Sequence, residues 1–149
     1  MNSRAVMLGA AVLAASALVA AAADKADADL KKFQGEWVAV SRVVGGKAEP
    51  EDAIKDIRIT VAGNKVTVKK GDKVLMAATQ KLDPSKAPKA LDATMTDGPQ
   101  KGVVMLGIYT FDGDTVKVCF DPDGKRRPTE FKTAEGSKEF LDVLKRAAK

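Results

Sequence analysis

The chain has 149 residues, a single cysteine, no histidine and a formal net charge of +5, from 25 Lys and Arg set against 20 Asp and Glu. That length suits one domain and leaves no room for a second. A lone cysteine excludes an intrachain disulfide, and the lack of histidine removes histidine-based triads together with the commonest zinc ligand.

The N-terminus reads as an export signal. Arg4 supplies a positive charge, and from Ala5 to Ala23 there is neither charge nor proline. Small residues at Ala21 and Ala23, followed by the charge of Asp24, complete the order that the signal peptidase requires. The alternative is an uncleaved anchor, since about 18 apolar residues can just span a bilayer, but this stretch is mostly alanine and too weakly apolar to stay. No cysteine stands beside the site, which argues against a lipid anchor. Cleavage after Ala23 is therefore expected, giving a periplasmic or secreted protein without a stable membrane anchor. The expected organisation is a signal peptide over 1–23, a flexible tail over 24–29 and a β-barrel domain over 30–149.

Leu30 to Phe33 fits one helical turn ahead of Gly35. Trp37 to Val44 is the first β run, closed by Gly45 and Gly46, and Glu49 to Lys55 has the proline and acids of a short helix start. Ile57, Ile59 and Val61 alternate with polar residues, as do Val66 and Val68, and Gly63-Asn64 joins the two runs into a hairpin with one dry face. Gly71-Asp72 turns into a run from Lys73 to Leu82. Asp83 to Lys89, with two prolines, is a loop. Ala90 to Met95 and the strongly apolar Val103 to Phe111 follow, separated by Asp97-Gly98-Pro99. After the turn Asp112-Gly113-Asp114, Thr115 to Phe120 places Val116, Val118 and Phe120 on one face. Asp121-Pro122-Asp123-Gly124 is a turn, and Thr129 to Lys132 a further short strand. Lys138 to Lys145 fits a helix face nearly as well as a strand, and its context favours a strand. About eight to nine strands in about 110 residues match a small closed up-and-down antiparallel barrel.

Gly35-Glu36-Trp37 after a helical turn resembles the Gly-x-Trp opening of lipocalins. The succession Leu82-Asp83-Pro84-Ser85-Lys86, Thr96-Asp97-Gly98-Pro99, Leu106-Gly107-Ile108-Tyr109, Cys119-Phe120 and Arg127-Pro128-Thr129-Glu130-Phe131 resembles, in order and spacing, a family of small lipocalin-like domains abundant in planctomycete bacteria. The similarity runs from about Leu30 to Arg146. It implies a mainly β, lipocalin-like barrel of about eight strands with a short N-terminal helical turn, and it implies no activity. It also implies structural roles for Trp37 and for Arg146, the arginine near the chain end that lipocalins set against this tryptophan. Glu139 and Asp142 depart from the apolar closing strand that the resemblance implies.

No residue set calls for catalysis, because the Asp and Glu residues fall mainly in turns, where Asp-Gly is explained by backbone geometry. The reading is not an enzyme, with no cofactor and no metal. Asp121-x-Asp123-Gly124 resembles the start of a calcium loop but lacks the later ligands and runs into Lys125, Arg126 and Arg127, so a β-turn is the better account. That basic triplet is too short, without stacking aromatics, for nucleic-acid recognition. Cys119 reads as packed. Arg127 is a candidate for a carboxylate or phosphate at a ligand mouth, or else a rim partner of Glu130. Two functions remain. One is a binding module for a small apolar ligand, with Trp37, Ile59, Val68, Met76, Met95, Leu106, Ile108 and Phe120 pointing inward. The other is a structural module that engages an envelope protein and has those side chains filling the barrel. A cavity above about 300 Å³ marks the first, a packed interior the second.

Overall fold

The computed structural model describes residues 9–148, with side chains from residue 20 onward. Met1 to Arg4, the charged start of the expected export signal, lie outside the described residues. Nine strands follow one long helix, α1 (Gly9–Phe33): β1 (Gly35–Val44), β2 (Lys47–Ala48), β3 (Ile57–Ala62), β4 (Lys65–Lys70), β5 (Lys73–Asp83), β6 (Lys89–Met95), β7 (Val104–Asp112), β8 (Thr115–Asp121) and β9 (Phe140–Arg146). A short helix, α2 (Glu51–Ile54), connects β2 to β3. Each strand from β3 to β8 pairs antiparallel with the next, β3 pairs with β1, and β1 pairs with β9. The result is a closed eight-stranded up-and-down barrel with β2 as a short flap on β1. Closure leaves none of the eight with an unpaired edge.

Alternation explains the strands. In β3, Ile57, Ile59 and Val61 are buried while Arg58, Thr60 and Ala62 are exposed. The β3–β4 hairpin turns at Gly63, whose φ of 62° is the left-handed conformation that glycine adopts without a Cβ penalty. Gly107 answers to a different constraint, since a Cβ there would come within 2.6 Å of the Phe120 ring on β8.

Two elements differ from the sequence expectation. The segment 24–29 is helical and not a tail: α1 runs through it, and the expected turn at Leu30–Phe33 is the last turn of this helix. Ala22, Ala26, Asp29, Leu30 and Phe33 fall on one face at helical spacing and are the less exposed residues of this stretch. Thr129 to Lys132 forms no strand. It belongs to the β8–β9 connection, which lies over the outer wall and is held by single contacts, such as Gly46 N–H to Thr133 Oγ1 at 2.7 Å and Gly136 N–H to Gly45 O at 3.0 Å. The last segment, where helix and strand fit nearly equally, is strand β9, as its context favours. Among the described residues no helix is long and apolar enough to cross a membrane.

The end of α1 plugs one end of the barrel. Phe33 packs against Phe111, Tyr109 and Trp37 at centroid distances of 4.8, 5.3 and 6.5 Å. Asp29 is buried and accepts hydrogen bonds from Tyr109 Oη at 2.7 Å and Lys89 Nζ at 2.9 Å. Burial acts to raise the Asp29 pKa, but the hydrogen bonds from Tyr109 and Lys89 and the charges of Lys89 and Lys32 outweigh it and hold the carboxyl below its ordinary value. A depressed carboxyl stabilises the fold above its unfolded pKa, and that stabilisation is lost as pH falls through the folded value. Asp29→Asn is therefore expected to cost about 1–2 kcal/mol near neutral pH. Urea unfolding should show the gap between the two proteins closing as pH drops below about 4, and a gap independent of pH would remove the charge from this account.

Candidate functional site

The barrel encloses a cavity of about 270 Å³. Phe33 and Trp37 form its floor, Ile59, Val68, Met105 and Val118 contribute to its walls, and Leu75, Arg42 and Phe140 border its more open end. The lining is predominantly apolar, and three residues interrupt it: Arg42, Asp142 and Gln80.

Arg42 reaches the interior because of a β-bulge. Ala39 pairs with Leu144 and Ser41 with Val143, so Val40 is an extra residue and the side-chain alternation changes phase. Trp37 and Ala39 face inward before the bulge; after it Arg42 does, directly opposite Asp142 on β9. The guanidinium donates from Nε to Asp142 Oδ1 and from Nη2 to Oδ2, both at 2.7 Å. It also lies 5.2 Å from the Phe140 ring centroid. The hydrogen bond to Asp142 pushes the Arg42 pKa up against the effect of burial, so the guanidinium keeps its charge. Asp142 thus enters the closing strand as the partner of Arg42, which accounts for the departure of this strand from an apolar pattern.

Gln80 lies in phase with Met76 and Ala78 on β5, beside the small side chain of its cross-strand neighbour Ala93. Its residue exposure is 8%. Among the described residues, its Nε2 is the buried side-chain nitrogen or oxygen left without a hydrogen-bond partner.

The residues expected to form a ligand site are only partly brought together. Met76 and Phe120 line the cavity. Met95 is buried in the core without lining it. Leu106 and Ile108 are not cavity residues: β7 turns Met105, Tyr109 and Phe111 inward, and Ile108 pairs with Ala90 and Cys119 on the outer face. Both faces of β7 are apolar there because the β8–β9 connection covers the outer one, and Gly107 interrupts the inward set, so alternation alone gave the wrong phase. Arg127 is also on the outer wall, away from the cavity lining. It donates to Leu91 O and Gly107 O at 3.1 and 2.8 Å and pairs with Asp92 Oδ1 at 2.6 Å, and not with Glu130.

Trp37 is 1% exposed and donates from Nε1 to Phe33 O at 2.8 Å. The Arg146 guanidinium carbon stands 4.4 Å from its ring centroid. Arg146 also donates to Gln34 O at 2.9 Å and to Lys32 O, carbonyls at the helix terminus that lack intrahelical donors. Cys119 is fully buried with Sγ 3.5 Å from Lys132 O, and burial pushes its pKa up, which disfavours the thiolate. Asp121 accepts backbone N–H bonds from Asp123, Lys125 and Arg126. Those bonds hold its carboxyl below the ordinary range against burial, the signature of a turn. Among the described residues no group of three or more His, Cys, Asp or Glu side chains is placed to hold a metal ion.

Comparison of the chain with protein-family models, with curated proteins and with solved structures returns no match.

Proposed function

We propose that this chain is an exported binding module that holds one small, mostly apolar molecule inside its barrel. The observation that carries the reading is the predominantly apolar 270 Å³ cavity. It falls just short of the ~300 Å³ at which drug-sized pockets begin. An apolar cavity of about 150 Å³ nonetheless admits benzene, and by that scale this one suits a ligand of about ten heavy atoms. Binding accounts for the site better than catalysis does, because the two ionised groups in the lining satisfy one another. A wholly filled interior, the basis of the envelope-interaction alternative, fits less well with this volume.

Export is supported by the order of the leader residues and by where the helix is anchored. Asp29, Leu30 and Phe33 all follow Ala23, so cleavage there leaves the barrel plug in place.

Native mass spectrometry of the protein purified from its own envelope fraction tests both together. The expected result is a polypeptide beginning at Asp24 with a non-covalent small-molecule adduct. A product that retains residues 1–23 overturns the export assignment. An adduct-free protein that co-purifies with a second polypeptide favours the interaction module.

A further inference from the structure

Gln80 is the group in the barrel whose chemistry is left unfinished. Its backbone is fixed in the sheet, with its N–H donating to Asn64 O at 2.8 Å. The side chain is more than nine-tenths buried, lines the cavity, and keeps an amide nitrogen without a partner. A buried donor of this kind is costly unless something accepts from it, and at this position an apolar residue would continue the pattern of Met76 and Ala78. Ala93 opposite it is small, which leaves room beside the amide. The charges of the cavity bear on the ligand as well. Arg42 and Asp142 are the charged residues among the described lining, and their two 2.7 Å hydrogen bonds neutralise each other. An ionised ligand would have to break that pair or be buried without a counter-ion.

We propose that the cavity binds a neutral small molecule carrying a carbonyl oxygen, and that this oxygen accepts a hydrogen bond from Gln80 Nε2 while the rest of the molecule fills the apolar space. This deepens the binding reading above and rests on it.

Three probes of about ten heavy atoms separate the possibilities: methyl heptyl ketone, the alkene in which a methylene group replaces its oxygen, and octanoate. Trp37 is the single tryptophan and forms part of the cavity floor, so its emission reports occupancy. Each probe is titrated into the purified protein and into Gln80→Met, which keeps the length of the side chain and removes the amide. The ratio of ketone affinity to alkene affinity is expected to fall about tenfold in Gln80→Met. The different hydration of the two probes is common to both proteins and cancels from that comparison. Removing an unpaired buried amide is expected to leave the thermal midpoint unchanged or raised, and Gln80→Leu serves as a second variant if methionine perturbs the fold. An unchanged ratio, with both probes bound, overturns the carbonyl assignment and leaves the apolar binding reading standing. Octanoate binding more tightly than the ketone overturns the neutrality of the ligand. Failure of all three probes to bind overturns this inference and the binding reading together.

Discussion

Replacing Trp37 with alanine is expected to cost about 3–5 kcal/mol of folding stability, the range for a fully buried aromatic. The indole does three jobs at the plugged end of the barrel. It packs edge-on against Phe33, it satisfies the Phe33 carbonyl through Nε1, and it gives the Arg146 guanidinium a face to lie on. Arg146→Ala removes that cation and two donors to the end of α1, and is expected to cost about 1–2 kcal/mol, less than the tryptophan because Arg146 is largely exposed. Since the two side chains touch, their losses should not add. A double-mutant cycle by urea unfolding is expected to return a coupling of about 0.5–1 kcal/mol. Strictly additive losses would show that the stacking seen between them contributes nothing to stability. Trp37→Phe separates packing from hydrogen bonding: it retains much of the contact area but leaves the Phe33 carbonyl without its indole donor, and should fall between wild type and alanine.

Much of the barrel is legible in the sequence because its walls obey a period of two and its hairpins carry glycine where the chain reverses. Ile57, Ile59 and Val61 on β3, and the Gly63-Asn64 turn that follows, show both signals within eight residues. What was hidden depends on contacts made far along the chain. Val40 looks like any residue of a β run, yet as a bulge it reverses the facing of everything after it, and this is why Arg42 was not expected inside. Asp142 stood out as an anomaly, but its meaning required knowing that β9 closes onto β1. Gln80 carried a local signal, being the polar member of an inward-facing set with Met76 and Ala78, and strict use of the period would have found it. Ile108 and Leu106 misled for the opposite reason: a loop distant in sequence buries the outer face of β7, so apolar character there does not distinguish inside from outside. The helical state of 24–29 was likewise invisible, because its anchor is the long-range contact of Asp29 with Lys89 and Tyr109.

Arg42→Met is expected to destabilise the protein by about 3–5 kcal/mol, the range for stripping a buried charge of its partner. The two halves of this pair differ in what they can do alone. The Asp142 side chain is 6% exposed, whereas that of Arg42 is 25% exposed and, being long, can extend toward the open end of the cavity. Asp142→Leu should therefore cost less, about 1–3 kcal/mol. The double variant Arg42→Met with Asp142→Leu removes both charges and replaces them with apolar groups, so most of the loss should be recovered. Chemical denaturation of the four proteins measures these values. Equal losses for the two single variants would contradict the exposure argument, and a double variant no more stable than Arg42→Met would mean that the pair stabilises the barrel in its own right. If the double variant folds as well as wild type, the pair is retained for something other than stability. Because Arg42 and Asp142 meet across the β1–β9 seam, two residues beyond the bulge at Val40, the role their geometry fits is fixing the register in which the barrel closes. Loss of that register would move Trp37 away from Arg146, so the double variant should also show greater exposure of Trp37 to an aqueous quencher if closure has slipped.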